Sequence, residues 1–226
     1  MKTLGYACPL PSGGTARELA LGFDQGRAKR VMIIPALLDE ANRMRRFTVE
    51  VMRRLDIAGI DCFLPDLPGC NESLQDLAET TSVDWSDAMQ AAAAQFGASH
   101  LLAIRGGGLV RPNGYPGWHY APVKGASILR QMLRARLISS REAGREENQE
   151  QLLEVGLEAG LELGGYQLSA GMLRDLQSLV PAISTSFMII DQEMIGGGPL
   201  WLRAEPGEDR AQADALAAVV AIGMNA

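Results

Sequence analysis

The side chains best suited to chemistry fall in three short loops. The first contains Cys70 and Ser73, within Asp66-Leu-Pro-Gly-Cys-Asn-Glu-Ser73. A thiol or hydroxyl there can act as a nucleophile once a nearby base takes its proton. His119 is the candidate base, Asp66 is a further catalytic candidate, and His100 is the only other histidine. The second loop is Arg105-Gly-Gly-Gly108, where backbone N–H groups beside a guanidinium would form a site for a carboxylate or phosphate. The third begins at Leu37. Arg105, Gly106, Gly107 and Leu37 are therefore the candidate ligand-binding set.

Each candidate has a plainer alternative. Cys70 reads more simply as a buried or incidental thiol. His119, between Trp118 and Tyr120, reads as a packed strand residue, and Arg105 as the partner of a structural acid such as Asp66 or Glu72. Two isolated histidines, with Cys8, Cys62 and Cys70 scattered, offer no metal-ligand spacing. The glycine runs match neither a P-loop nor a dinucleotide fingerprint. No metal and no cofactor is expected.

The elements around these loops alternate. Val31-Met-Ile-Ile-Pro-Ala36 and Ile60-Asp-Cys-Phe-Leu-Pro65 are continuous apolar runs, the pattern of strands covered on both faces. Between them Met44, Phe47, Val51, Met52 and Leu55 recur at helical spacing from Asp39 to Ala58, and Gly59 stops the helix. An alanine-rich helix from Asp84 to Phe96 then leads to the strand His100-Leu-Leu-Ala-Ile104. Strand, helix, strand, helix, strand predicts an open, doubly wound, mostly parallel α/β sheet with right-handed crossovers. Ligands gather at the carboxyl ends of such strands, where the three loops lie.

Residues up to Gly14 read as loop and residues 17–24 as an edge strand. A basic helix (126–141) and an acidic helix (147–162, with Glu150, Glu154, Glu158 and Glu162 four apart) are followed by a short helix at 169–179. Ser186-Phe-Met-Ile-Ile190 and Leu200-Trp-Leu-Arg203 read as strands, and residues 208–222 as a closing helix. The basic and acidic helices either neutralise one another, face solvent, or form a partner surface or lid. One domain over 1–226 is expected, with a small helical cap at about 126–180.

Composition narrows the function classes. At 226 residues with 47% hydrophobic content, the chain can bury a sizeable core without staples. A net charge of −6 argues against nucleic acid as a partner. Three unpaired cysteines suit reduced thiols, no signal-peptide pattern opens the chain, and no apolar run is long enough for a transmembrane span. A cytoplasmic location is the expectation.

The Asp66-x-x-Gly-x-x-x-Ser73 loop after a strand resembles the corresponding loop of α/β-hydrolases. Three further segments narrow the likeness: Ala36-Leu-Leu-Asp-Glu-Ala-Asn-Arg-Met-Arg-Arg46, Gly125-Ala-Ser-Ile-Leu-Arg-Gln-Met-Leu-Arg-Ala-Arg-Leu137 and Gly165-Tyr-Gln-Leu-Ser169. With an echo in Gly198-Pro-Leu-Trp201, the chain resembles the second class of exosortase A system-associated hydrolases over residues 30–180. That resemblance implies an α/β-hydrolase fold in a bacterium that exports exopolysaccharide.

The catalytic pattern is not matched. A nucleophile elbow reads Gly-x-Ser-x-Gly, whereas this chain has Ala103-Ile-Arg-Gly-Gly107. Arginine stays protonated and does not attack carbonyls. No histidine follows His119, and Gly196-Gly-Gly-Pro-Leu-Trp201 stands about where the late one would fall. Prolines and glycines replace the helix after the elbow, and the chain is short for the family. The expectation is a hydrolase-like protein without the Ser-His-Asp triad that binds a small anionic or acyl ligand or a partner protein. The alternatives are an acyl-transfer or hydrolytic enzyme using Cys70 or Ser73, and an interaction module built on the two charged helices.

Overall fold

Apolar runs such as Val31–Ile34 need cover on both faces, and the computed structural model, which describes residues 1–182 and 184–225, supplies it. In chain order the elements are β1 (Lys2–Pro9), β2 (Thr15–Phe23), β3 (Arg30–Ile34), α1 (Asp39–Ile57), β4 (Asp61–Pro65), α2 (Ser82–Gln95), β5 (His100–Ile104) and β6 (Gly117–Tyr120). They continue with α3 (Gly125–Glu142), α4 (Gln149–Ala159), β7 (Leu161–Leu163), β8 (Tyr166–Leu168), α5 (Ala170–Ser178), β9 (Phe187–Ile190), α6 (Gln192–Ile195) and α7 (Arg210–Gly223). Short 3-10 turns lie at Leu77–Glu79, Arg105–Leu109 and Leu200–Leu202.

Seven strands form one sheet in the order β1-β2-β4-β3-β5-β6-β9. β1 and β2 pair antiparallel, β2 runs antiparallel to β4, and the rest is parallel. Alternation along each central strand feeds two separate cores. Met32, Ile34, Phe63, Leu101 and Ala103 face α2, α3 and α5, while Val31, Ile33, Cys62, Leu64, Leu102 and Ile104 face α1 and α7. Each fully buried Val, Leu, Ile or Phe contributes about 1.5–3 kcal/mol, so the two cores carry most of the stability.

Local signals explain where the helices begin and end. The stripe Met44, Phe47, Val51, Met52 and Leu55 is buried on α1, which stops before Gly59 at φ +78°. The α2 terminus is a capping box: the Thr81 hydroxyl serves the Asp84 N–H, and the Asp84 carboxylate accepts from the Thr81 N–H. At the opposite end of the sheet from the loops of interest, the buried Asp61 carboxylate accepts from the Arg27 backbone N–H at 2.9 Å and from Arg30 Nη1 at 3.0 Å. That pair pins the 24–30 turn.

Several expectations are corrected. Residues before Gly14 are not a loop: Lys2–Pro9 pairs along the whole of β2, so β1 is the edge and β2 an interior strand. Only Tyr6 and Cys8 of β1 are fully buried, too few for a visible alternation. The acidic helix ends at Ala159 because Gly160 turns at φ +84°, and Leu161–Leu163 pairs back on Tyr166–Leu168 around two left-handed glycines. Leu200–Leu202 is a 3-10 turn rather than a strand, with Leu200 and Trp201 buried in the core on the α1 side of the sheet.

Candidate functional site

The turn after β5 has a strained geometry. Arg105 sits at φ +52°, a left-handed conformation that costs a side-chain-bearing residue of order 1–3 kcal/mol. Gly107 permits the turn, since a Cβ there would stand 2.5 Å from the Pro35 carbonyl oxygen. A short 3-10 turn follows where a long helix would be launched.

The Arg105 side chain is not presented to solvent. Its Nε and Nη2 donate to both oxygens of Glu40, at 3.0 and 2.8 Å, and Nη1 donates to the Ala121 carbonyl at 2.8 Å. The Trp201 ring covers the guanidinium with its centroid 4.0 Å away. Arg105 therefore has a structural partner, but it is Glu40, in the first turn of α1, and not Asp66 or the exposed Glu72. Beside it, a Cβ on Gly106 would meet Ile128 at 2.7 Å and Leu37 at 3.0 Å, so these two side chains fill the space over the turn. Gly106, Gly107 and Leu37 are all buried there.

His119 lies under the same turn, where its Nε2 donates to the Arg105 carbonyl at 2.8 Å. Burial lowers its pKa, while that hydrogen bond works against the shift. Cys70 follows β4, and β6, which carries His119, is three strand positions away, about 14 Å at the usual strand spacing. The structure does not bring Cys70 and His119 together.

Cys70 instead borders a cavity of about 220 Å³ at the carboxyl ends of β3 and β4. Pro35, Leu38, Ala41 and Leu67 supply apolar walls, and Tyr166, from the β7–β8 hairpin, closes one side. The Asn42 amide donates to the Tyr166 hydroxyl at 2.9 Å, joining α1 to the hairpin. Asp66, next to the cavity, is buried and accepts from Asn71 and from Arg45, each at 2.9 Å. Burial pushes the Cys70 thiol up to about 12, with the carboxylates of Asp66 and Glu18 adding to the shift. Burial likewise pushes the Tyr166 phenol up to about 12. The lining is uncharged at neutral pH. Ser73 is spent on loop structure: its hydroxyl donates to buried Glu18 at 2.8 Å and accepts from the Gly69 N–H at 2.9 Å.

No protein-family model matches the sequence, and no curated protein matches it. Solved structures do match over nearly the whole chain. Alpha/beta hydrolase domain-containing protein 10 from mouse is similar at TM-score 0.58 and 12% identity, over 92% of this chain and 94% of that one. The chain has the α/β-hydrolase fold. The bottromycin epimerase BotH, solved in complex with bottromycin A2, is similar at TM-score 0.51 and 13% identity, over 100% and 99%. A thermophilic esterase from Thermogutta terrifontis is similar at TM-score 0.50 and 12% identity, over 96% and 86%.

In the α/β-hydrolase fold the strand-to-helix turn exposes the nucleophile. The oxyanion hole uses the N–H of the next residue and one from the loop after β3. Here those positions hold Arg105, Gly106 and the Leu37–Leu38 loop. The guanidinium is folded away onto Glu40, and Leu37 and Ile128 occupy the space in front of Gly106. Trp201, from the 3-10 turn Leu200–Leu202, covers Arg105. No sequence pattern singles out Glu40, Asn42, Asn71 or Tyr166 as a site residue. Glu40 lies in the first turn of α1, and nothing local links it to Arg105, 65 residues on.

Proposed function

We propose that this is a catalytically silent protein of α/β-hydrolase fold that binds a small, uncharged acyl-type ligand in the cavity between Leu38, Cys70 and Tyr166. The observation that carries this reading is the Arg105–Glu40 pair beneath Trp201, which stands where a hydrolase holds its nucleophile. The apolar walls beside amide and phenol groups favour a short acyl chain with a hydrogen-bonding head, and the adjacent Asp66 disfavours an anion. A similar frame belongs to a protein described as an epimerase, which supports separating this fold from hydrolysis. The resemblance of residues 36–46, 125–137 and 165–169 to exosortase-associated hydrolases supports exopolysaccharide export as the setting, from a cytoplasmic position.

The test pairs turnover with binding. Purified protein and its Cys70→Ala variant are offered short- and medium-chain acyl esters and thioesters, and short acyl amides are titrated by saturation-transfer NMR. We expect no turnover above buffer, together with amide binding that Ala41→Phe abolishes by filling the cavity. Turnover lost in Cys70→Ala would overturn the silent reading and make Cys70 the nucleophile.

A further inference from the structure

A second cleft lies beside α3 and shares no lining residue with that cavity. On the outer face of α3, Arg130 and Arg134 are exposed and stand one helical turn apart, about 6 Å along the axis. They line a cleft of about 600 Å³ with Gln131 and Leu137 of α3, Gln149 of α4 and Leu202. Among the described residues no carboxylate lines it. Among the described residues neither Arg130 nor Arg134 forms an ion pair or a side-chain hydrogen bond. The arginines of α1 are treated otherwise: Arg43 pairs with Asp39, Arg45 with Asp66, Arg46 with Glu208, and Arg53 and Arg54 with Glu50. Like charges at this spacing repel mildly, and in a chain of net charge −6 carboxylates to relieve them are plentiful.

The geometry points to a binding site for a phosphate monoester that carries a short alkyl chain. Two guanidinium forks one turn apart suit the oxygens of one phosphate group, each fork giving paired N–H donors. The Gln131 and Gln149 amides can take up the ester oxygen or a further hydroxyl. Leu202, 63% exposed, and Leu137 provide an apolar wall on which the chain would lie. A phosphorylated metabolite and a phospholipid headgroup share this chemistry, and separate arms of the test tell them apart.

Hexyl phosphate and inorganic phosphate are titrated by calorimetry into the full chain, and co-sedimentation is measured with phosphatidylcholine vesicles with and without phosphatidate. Hexyl phosphate should bind about tenfold more tightly than inorganic phosphate, and R130Q/R134Q should weaken it by about tenfold or more. L202S should remove the advantage of the alkyl chain. R46Q/R53Q, which alters the net charge equally on α1, should leave binding unchanged. Vesicle binding that needs both phosphatidate and the α3 arginines assigns a lipid headgroup. Hexyl phosphate binding without vesicle binding assigns a soluble ligand. Equal affinity in wild type and R130Q/R134Q, an equal loss in R46Q/R53Q, or no hexyl phosphate binding at millimolar concentration would overturn the site. All substituted residues are exposed, and coincident unfolding curves confirm that each variant folds.

Discussion

Arg105 and Glu40 form a buried pair with both carboxylate oxygens engaged and side-chain exposures of 10% and 3%. Removing one partner leaves the other charge buried and unpaired, which typically costs about 3–5 kcal/mol. Arg105→Met and Glu40→Leu should each lower urea-unfolding stability by roughly that amount, and the double variant should cost less than the sum. Additive losses would show that the two do not act as a unit. Cys70 makes a second prediction. With its thiol pushed up to about 12, little thiolate exists at pH 8, so iodoacetamide should label it roughly a hundredfold more slowly than in the unfolded chain. Rapid labelling in the native protein would restore Cys70 as a reactive nucleophile. His119 is held neutral by burial, with a folded pKa below its ordinary value. The unfolded chain therefore binds the proton first. His119 contributes stability above about pH 6.5 that is lost as pH falls below it. The melting temperature should fall less steeply between pH 7 and pH 5 in His119→Gln. Some slope should remain, since burial lowers His100 as well.

The charged helices are resolved by contacts that helical spacing alone does not define. Glu150, Glu154 and Glu158 are exposed on α4, while Arg136 of α3 reaches Glu147, in the turn before α4, with bonds of 2.8 and 2.7 Å. Arg136 and then the Ser140 hydroxyl hold the Glu147 carboxyl down at about 2. A depressed carboxylate contributes stability above its unfolded value, near 4.5, and loses it as pH falls toward 2. Glu147→Gln should therefore melt below wild type at pH 7, and the two melting curves should converge by about pH 2. A gap that persists at that pH would mean that Glu147 acts through packing. After β5, the left-handed Arg105 and the close approach at Gly107 form a tight turn, which runs into a single 3-10 turn at Arg105–Leu109.

At the scale of the molecule, the segment from α3 to α5 is stitched to the rest by shared apolar packing. Ile128, Leu129, Leu163, Leu168, Met172 and Leu176 join the cluster that contains Trp85 of α2 and Phe63 of β4. Such a shared core argues for one cooperative unit. Tryptophan fluorescence and far-ultraviolet circular dichroism should report one coincident urea transition. Two separated transitions would make the inserted helices an independent cap. The Asn42–Tyr166 bond ties the same segment to α1 across the ligand cavity, so the cavity depends on this docking.

The central α/β frame was legible in the sequence because its signals are local. The apolar runs of β3, β4 and β5, the stripe on α1 and the glycines after α1 and α2 each act within a few residues, as does the placing of Arg105 directly after β5. The edge strand β1 and the β7–β8 hairpin were not legible, since each has too few inward side chains to show a period. The site was legible as a set of loops and not as a constellation. Cys70 and His119 lie in loop and strand positions that look compatible in one dimension, yet two strands stand between theirs. Arg105 found its carboxylate and its aromatic cover in Glu40 and Trp201, which lie far from it along the chain on opposite sides. Strand order and helix docking decide such pairings, and both are products of the whole core rather than of any local segment.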